Sequence, residues 1–406
     1  MSPGRSFAAV LRSLVDDLPG SRTAQRSRHE PLGHLAYADE LAVKAEGLER
    51  FWQAHGLSGA PEAVVASPRP RGYRTSSKRR IVLLKGRVHT YFGEVAEGAA
   101  VVASPLEPEE HGVVYKGLLK KLNEPAFRPL ASHLNYVIIR GTYDQRAVVF
   151  NVDELSTPLV RRVRALIEQV GELPVASFFL YVDPTRSDYY FESRRPDQAV
   201  TFKRISGPEQ IEVAFAGNRY RFHPTSFSQV NESMVPEMLA RAGELLAPAR
   251  SEELLDLYCG YGLFSHHLAP SVRAVVGVDA EGPAITAARA NTQLNPCATP
   301  RRFVAARIDR DFMARDLRRA GSPEIVLLDP PRNGPMPGVV AALGRRQPSR
   351  VLHIFCDVDQ IPTALEQWRA AGYAVQRVVP LDMFAGAANL EVLVLLTPDR
   401  APARRR

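Results

Sequence analysis

The stretch ELLDLYCGYGLFS, residues 253–265, decides the fold of this chain. It starts with an apolar run, which is typical of a strand whose two faces are both covered. Two glycines follow, and after them the sequence has a helical pattern. Four more apolar runs follow it, namely AVVGVDA (274–280), RFVAAR (302–307), EIVLLDPP (324–331) and RVLHIFC (350–356). Helical segments such as EGPAITAARANTQLN and PTALEQWRAAG lie between the runs. This alternation predicts an α/β fold with right-handed crossovers and an open parallel sheet.

The end of the chain departs from this alternation. YAVQRVVPLDMF (373–384) and LEVLVLL (390–396) are separated only by a short loop. Two such runs predict an antiparallel hairpin that closes the sheet.

Changes of composition divide the rest of the chain. Residues 1–65 have a helical, partly polar pattern, which ends at the Pro- and Gly-rich SPRPRG. Residues 66–225 combine short β-rich runs with an amphipathic helical pattern at 157–171, which predicts an α+β domain. The alternating pattern then occupies residues 226–400, and residues 401–406 form a basic tail.

Composition bounds the class of protein. A chain of 406 residues is long enough for two or three domains. It has neither a secretory signal nor an apolar stretch of the roughly 18 residues that a membrane span needs, so we expect a soluble, cytoplasmic protein without membrane contacts. Its three cysteines, Cys259, Cys297 and Cys356, are too few and too scattered for a disulfide framework or a zinc site. We expect reduced thiols and no bound metal.

An excess of positive charge indicates a polyanionic partner. The net charge is +8 and the pI is about 9.5, and Lys and Arg attract RNA or DNA through counterion release. RPRGYRTSSKRR (69–80) places Arg71, Arg74 and Arg79 close to Tyr73, a mixture that suits phosphate contacts combined with base stacking. The run RAPARRR at the end of the chain is interpreted as a solvated tail.

Ligands of open parallel sheets bind outside the carboxyl ends of the strands. Gly260 and Gly262 follow the first strand and allow close approach to the backbone, and Asp279 ends the second strand, where it can accept hydrogen bonds from ribose hydroxyls. Position 265 is serine, so the dinucleotide fingerprint G-x-G-x-x-G is incomplete, and an adenosyl ligand without phosphates fits better than NAD. Asp329, in LLDPPRNG (327–334), is held by two prolines and can bind a polar, planar ring.

Cys356 ends the fifth strand at the same edge of the sheet. A free cysteine is often a small buried apolar residue, and Cys259 and Cys297 fit that interpretation. At a strand end Cys356 is also a candidate nucleophile, because the N-terminus of the following helix can lower a thiol pKa, although Asp357 and Asp359 oppose that effect. Composition alone leaves both interpretations open.

Together these motifs resemble a known family. With FHPTSFSQVN (222–231) and PLDMFAGAANLEVLVLL (380–396), they are similar in order and spacing to the S-adenosylmethionine-dependent RNA uracil-5-methyltransferases, which modify tRNA and rRNA. The resemblance covers roughly residues 220–398 and is looser upstream. It implies a Rossmann-like class I methyltransferase domain, with a mixed seven-stranded sheet and a C-terminal antiparallel hairpin, preceded by an α+β RNA-binding region.

The resemblance also implies a role for particular residues. Cys356 would add to C6 of the uracil and Glu391 would remove the C5 proton, and we expect burial beside VLVLL to raise the pKa of Glu391. Phe227 would stack on the extruded base, which must be flipped out or single-stranded. The residues implied around S-adenosylmethionine are Gln229, Tyr258, Gly260, Leu263, Asp279 and Asp329, of which Gln229 and Asp329 would also contact the uracil. Independently of the resemblance, the basic run itself leads us to expect that Arg71, Arg74 and Arg79 bind the RNA.

The chain departs from the family at several points. Residues 29–48 contain none of the cysteines that hold an iron–sulfur cluster in many relatives, so we expect no cluster there. No small RNA-binding β-barrel is evident before residue 65, which leaves RNA affinity to the basic run and the central domain. Asp357 and Val358 replace the usual Asn-Pro after the nucleophile, and Leu263 replaces a frequent asparagine. No obligate protein partner is evident.

Two alternatives from other classes remain. An amino-group methyltransferase has the same cofactor fold and a D-P-P motif, but needs neither Cys356 nor Glu391. A noncatalytic RNA-binding protein could retain the fold after its active loop had changed.

Overall fold

The computed structural model describes residues 6–17, 30–92, 104–186, 202–280, 282–317 and 321–399. The predicted basic tail, 401–406, lies outside these residues. The chain forms two compact units. The first unit comprises Met1–Pro70, Ala214–Arg221 and Ser233–Arg406, and the second comprises Arg71–Val213 and Phe222–Glu232.

Helices and strands alternate through much of the chain. In chain order the helices are α1 (Phe7–Asp16), α2 (Tyr37–Ala54), α3 (Glu109–Leu122), α4 (Arg128–Ala131), α5 (Thr157–Gln169), α6 (Val235–Leu246), α7 (Leu263–Leu268), α8 (Pro283–Leu294), α9 (Val339–Arg346) and α10 (Ile361–Ala370). The strands are β1 (Ser77–Leu84), β2 (Arg87–Tyr91), β3 (Leu134–Gly141), β4 (Arg146–Val152), β5 (Ser177–Val182), β6 (Phe202–Ser206), β7 (Ile211–Phe215), β8 (Asn218–Phe222), β9 (Glu253–Leu257), β10 (Ala274–Asp279), β11 (Arg301–Ala305), β12 (Glu324–Leu328), β13 (Arg350–Phe355), β14 (Tyr373–Leu381) and β15 (Glu391–Pro398).

A seven-stranded mixed sheet forms the centre of the first unit. Its strand order is β11-β10-β9-β12-β13-β15-β14, in which β9 to β13 are parallel and β15 is antiparallel to both of its neighbours. The five apolar runs form the parallel strands because residues covered on both faces need side chains that can be buried there. The predicted open parallel sheet and its closing hairpin are confirmed, and β15 lies between β13 and β14.

The two N-terminal helices belong to this first unit. Phe7, Leu11 and Leu14 share one face of α1, because helical residues three and four apart are neighbours. They join Phe51 and Trp52 in one hydrophobic core with residues of the sheet, such as Phe355 of β13. The helical segment predicted for residues 1–65 thus contributes to the core beside the parallel strands.

The second unit contains a six-stranded sheet in the order β2-β1-β3-β4-β5-β6. β4 and β5 are parallel, whereas the other neighbouring strands are antiparallel. Side chains of α3, α4 and α5, including Val114, Leu130 and Val163, form one core with Val148 and Phe150 of the sheet. This arrangement is α+β, as predicted. Among the described residues of the whole chain, no helix combines the length and hydropathy required of a bilayer span.

Candidate active site

The register of β13 and β15 brings Cys356 and Glu391 together. Phe355 pairs with Val392 in these antiparallel strands, so the next position along the register sets Cys356 opposite Glu391. Residues directly opposite each other in antiparallel strands have Cα atoms about 5 Å apart. A thiol and a carboxyl group that are 35 residues apart in the chain are therefore neighbours at the edge of the sheet where the parallel strands end.

Glu391 is a buried carboxyl group, with a relative exposure of 1%. Its Oε2 atom has no hydrogen-bond partner within the ranges that the structure describes. Burial raises the pKa of Glu391 well above its usual range, as expected, and the Asp329 carboxylate raises it further, while the Arg332 guanidinium lowers it. A buried carboxyl group with an unused oxygen is a suitable proton acceptor for a ligand in this crevice.

The Cys356 thiol is partly buried and is not activated by its surroundings. Burial raises its pKa, as do the carboxylates of Glu391 and Asp329, and Arg332 opposes them. The predicted lowering of the thiol pKa by a helix N-terminus is wrong. The following helix, α10, begins only at Ile361, and the effect of a helix dipole falls off within about one turn.

The loop after Cys356 has a local structure of its own. Val358–Gln360 form a short 3₁₀ turn, and the Asp357 carboxylate accepts a hydrogen bond from the backbone N–H of Asp359 at 3.1 Å. The two residues that replace the family's Asn-Pro are thus part of a capped turn.

Asn389 and Arg332 are two site residues that we did not predict. The Asn389 side-chain amide donates a hydrogen bond to the Cys356 carbonyl oxygen at 2.6 Å. Arg332 is exposed and acts electrostatically on both Cys356 and Glu391. Both residues lie within motifs that we quoted, but only the folded chain shows that they adjoin the thiol.

The glycine loop after β9 is tied to the end of β10. The Gly260 N–H donates a hydrogen bond to Asp279 Oδ2 at 2.7 Å, and the Ala280 N–H donates to Oδ1 of the same carboxylate at 2.6 Å. Tyr258 has a φ of 64°, a left-handed conformation that is uncommon for a non-glycine residue. A Cβ atom added at Gly260 would meet nothing within 4 Å, so open space adjoins the backbone there. This is the geometry that lets a ligand approach the main chain.

Three carboxyl groups, of Asp256, Asp279 and Asp329, interact at these strand ends. Burial raises the pKa of Asp329 to about 7, and the other two carboxylates raise it as well. Burial likewise raises the pKa of Asp256 to about 7, although the Ser265 hydroxyl donates a hydrogen bond to it at 2.6 Å. Asp256 is a third residue that we missed. Its signal is an acidic residue inside an apolar run, at the fourth position of ELLDL.

The remaining predicted ligand residues lie in different places. Leu263 is buried at the start of α7, directly after Gly262. Phe227 and Gln229 belong to the second unit, where Phe227 is exposed at 62% and Gln229 is buried. The roles predicted for these three residues remain predictions.

The basic run 69–80 requires two corrections. Arg79 has an exposure of 0%, and its guanidinium forms a buried ion pair with Glu107 at 2.6 Å, so it is not available to RNA. Tyr73 is also at 0% exposure and cannot stack on a base. Both side chains have a structural role in the second unit. Arg71 and Arg74 are partly exposed, and we retain them as candidates for phosphate contact.

The described part of the chain contains no group of three or more His, Cys, Asp and Glu residues with the arrangement of a metal site.

Comparison with known proteins identifies the family. Residues 191–399 match the family tRNA (Uracil-5-)-methyltransferase. The chain is 25% identical over 380 residues to an RNA methyltransferase of Streptococcus pyogenes serotype M18, covering 91% of this chain and 80% of the relative. It is 26% identical over 374 residues to the 23S rRNA (uracil(1939)-C(5))-methyltransferase RlmD of Marinomonas sp., covering 89% of this chain and 77% of the relative.

A solved structure shares the fold. The tRNA (uracil-54, C5)-methyltransferase of Pyrococcus abyssi, in complex with S-adenosyl-L-homocysteine, superposes with a TM-score of 0.67 at 23% identity. The match covers 90% of this chain and 85% of the other. The predicted class I methyltransferase fold and the resemblance drawn from the motifs are thereby confirmed, and the chain belongs to the tRNA (uracil-5-)-methyltransferase family.

Proposed function

We propose that this protein transfers a methyl group from S-adenosylmethionine to C5 of a uridine in tRNA or rRNA, through a covalent bond between Cys356 and C6 of the uracil. The observation that carries the proposal is that Cys356 and Glu391, which follow the Phe355–Val392 pair in the register, interact electrostatically at the carboxyl edge of a class I methyltransferase sheet. One relative is named for 23S rRNA and a structural neighbour for tRNA, and both names support an RNA substrate.

The glycine loop and the aspartates suit an adenosyl ligand. The open space at Gly260 would admit the ligand to the backbone, and Asp279 would accept hydrogen bonds from its ribose hydroxyls. Tyr258 and Asp329 would border the same ligand, and Leu263 would cover it from the start of α7. Such a ligand carries no phosphate group. This agrees with position 265, where serine replaces the third glycine of the dinucleotide-binding motif.

The first chemical step requires a thiolate. Cys356 is neutral near pH 7 because its pKa is raised, so a base must remove its proton. Asp329 suits this task because its pKa of about 7 leaves a substantial ionised fraction at neutral pH. Arg332 stabilises the anions that form beside it. The thiolate then bonds to C6, and the electrons of the C5–C6 double bond move to C5 and O4 as an enolate.

The second step uses the nucleophilic C5 that this addition creates. S-adenosylmethionine, when bound, supplies an electrophilic methyl group for this carbon. Glu391, in its ionised form, then takes the C5 proton on its unpaired oxygen and the C5–C6 double bond forms again. The C6–S bond breaks as this happens, so the sulfur leaves as a thiolate and takes back the proton that Asp329 holds. Asn389 keeps the Cys356 backbone in place through both steps by its hydrogen bond to the carbonyl oxygen.

RNA containing 5-fluorouridine tests the covalent step, because its C5 has no proton for the base to remove. With S-adenosylmethionine, the wild-type protein should form an adduct that survives denaturing electrophoresis, and Cys356→Ala should form none. Glu391→Gln should accumulate the corresponding adduct on ordinary uridine RNA, with the C5 proton still in place, since it cannot complete the elimination. Cys297→Ala, at a half-buried cysteine before β11, is the control and should react as the wild type does.

Other outcomes would favour the alternatives. RNA methylation by Cys356→Ala, with no adduct, would indicate transfer to an amino group. Absence of heat on titration of the wild-type protein with S-adenosylmethionine at high concentration would indicate a noncatalytic RNA-binding role.

A further inference from the structure

The loop between β14 and β15, residues 382–390, is partly buried, unlike most surface loops. It carries Asn389, whose amide contacts the Cys356 carbonyl, and it leads directly into Glu391. Asp382, Met383 and Leu390 each have an exposure of 0%. Whatever holds this loop also determines where the Glu391 carboxyl group lies.

Lys44 of α2 makes the central contacts to this loop. Its Nζ donates to Asp382 Oδ1 at 2.7 Å and to the Phe384 carbonyl oxygen at 3.0 Å, and it lies 2.9 Å from Oε1 of Glu40. The side chains of Lys44, Glu40 and Asp382 all have an exposure of 0%. The lysine is the cation between two buried carboxylates.

Neighbouring residues of the N-terminal segment bind the same loop. The Glu40 carboxylate accepts a hydrogen bond from the Gly386 N–H, and the Tyr37 hydroxyl donates to Asp382 Oδ2 at 2.9 Å. The backbone N–H of Leu32 donates to the Gly386 carbonyl oxygen at 3.0 Å. Side chains of α2 and a turn before it thus hold both the beginning and the middle of the loop.

The loop after Cys356 has a contact of the same kind. The backbone N–H of Phe7, at the start of α1, donates to Asp359 Oδ1 at 2.7 Å. Both loops that lead to the paired thiol and carboxyl group are therefore bound by the N-terminal helices. Buried ions contribute little net stability compared with apolar packing, whereas their directional contacts select one geometry.

We propose that Lys44, together with Glu40, is a positioning residue for methyl transfer: it holds loop 382–390 so that Asn389 and Glu391 lie correctly beside Cys356. This inference rests on the proposed function. Lys44 reaches no reacting atom and acts through the loop. The N-terminal helical segment then contributes to catalysis, because it holds the loop that carries Asn389 and precedes Glu391.

Lys44→Met tests the proposal, because it retains an unbranched side chain and removes the charge. The number of active sites is first titrated with 5-fluorouridine RNA, and kcat on uridine RNA is then expressed per titrated site. We expect kcat to fall by about tenfold to a hundredfold, the loss that misplacement of a reacting group by about 1 Å produces. The Kd values for RNA and S-adenosylmethionine should stay within about twofold, and the covalent adduct on uridine RNA should accumulate because proton removal is slowed.

Arg346→Met is the matched control. Arg346 forms a well-buried ion pair with Glu324 at 2.6 Å, at the opposite edge of the same sheet, where β12 begins. Its loss should lower thermal stability but leave kcat per titrated site unchanged. Hydrogen exchange at residues 382–390 should quicken in Lys44→Met and not in Arg346→Met, a readout that is independent of activity.

Tyr37→Phe serves if Lys44→Met does not fold, since it removes only a hydroxyl group that binds Asp382. It should give the same pattern with a smaller loss of kcat. Unchanged kcat per site and unchanged exchange in whichever of these variants folds would overturn the proposal for Lys44. A wild-type protein that forms no adduct and does not methylate RNA would instead refute the proposed function. Hydrogen exchange would still show whether Lys44 restrains residues 382–390.

Discussion

Cys356 is surrounded by acids, and this decides how its thiol reacts. Burial and the carboxylates of Glu391 and Asp329 raise its pKa, against a smaller effect of Arg332. Its reactivity is thus restrained in the free protein and depends on proton transfer during the reaction. A thiol kept neutral is also protected from oxidation, because thiolates are the species that oxidants attack.

Asp329→Asn should make this thiol more reactive toward a small alkylating reagent, even though it removes the base proposed for the addition to uracil. Removal of a nearby negative charge lowers the thiol pKa, so the thiolate fraction at any pH below that pKa increases. In a Cys297→Ala background, we expect alkylation of Cys356 by iodoacetamide at pH 8 to quicken by about tenfold, with its pH profile displaced to lower pH. Mass spectrometry of the peptide that contains residue 356 gives the rate. Asp311→Asn, at an exposed aspartate, is the control and should leave the rate unchanged. Equal rates in all three proteins would show that Asp329 does not act on the thiol.

At the scale of elements, the insertion of β15 between β13 and β14 creates the site. Glu391 is the first residue of β15 and pairs with Leu381 on one side, while the register on its other side leads to Cys356. A carboxyl group on an inner strand has protein on both sides, which is why it is buried and its pKa is raised. The same side chain on an edge strand would be solvated.

An ion pair joins two elements of the second unit, and its loss should be costly. Arg79 of β1 makes hydrogen bonds of 2.9 Å and 2.6 Å to the two carboxylate oxygens of Glu107, close to the start of α3. Arg79→Met leaves this carboxylate buried without its cation, and we expect the free energy of unfolding to fall by about 3–5 kcal/mol, measured by urea denaturation.

The double variant Arg79→Met/Glu107→Leu should regain most of that loss, because no unpaired charge remains. Arg50→Met, in an exposed pair with Glu46, should cost less than about 1 kcal/mol. If the double variant were as unstable as Arg79→Met alone, the loss would come from packing and not from the buried carboxylate.

At the scale of the whole molecule, the net charge of +8 predicts salt-dependent binding of RNA. We expect affinity for a structured RNA to fall steeply as salt increases. Arg71→Ala/Arg74→Ala should weaken binding and reduce the slope of log K against log[salt] by about one for each cation that contacts phosphate. Filter binding over a series of salt concentrations measures both quantities.

The control Arg161→Ala/Arg164→Ala, at two exposed positions of α5, lowers the net charge by the same amount as Arg71→Ala/Arg74→Ala. It should weaken RNA binding less. An equal effect of the two double variants would show that total charge governs RNA affinity, in place of the basic run.

The sequence by itself determined the sheet, the strand ends and the family. Apolar runs that alternate with helical patterns have few other ways to be buried, and ligand residues of parallel strands must meet at the carboxyl edge. ELLDLYCGYG, LLDPPRNG and the strand before Cys356 therefore lie where we predicted. The RNA roles of Arg79 and Tyr73 were wrong, because charge and aromatic composition do not reveal which side chains turn inward.

Only the tertiary structure decided which groups act on one another. Glu391 and Cys356 became neighbours through the pairing of strands distant in the chain, and Lys44 reached Asp382 across 338 residues. The pKa of Cys356 depends on burial and on nearby charges. Both are set by residues that lie far from Cys356 in the sequence and close to it in the folded chain. Local patterns specify strands and helices, whereas electrostatic environments arise from contacts that only the packed chain creates.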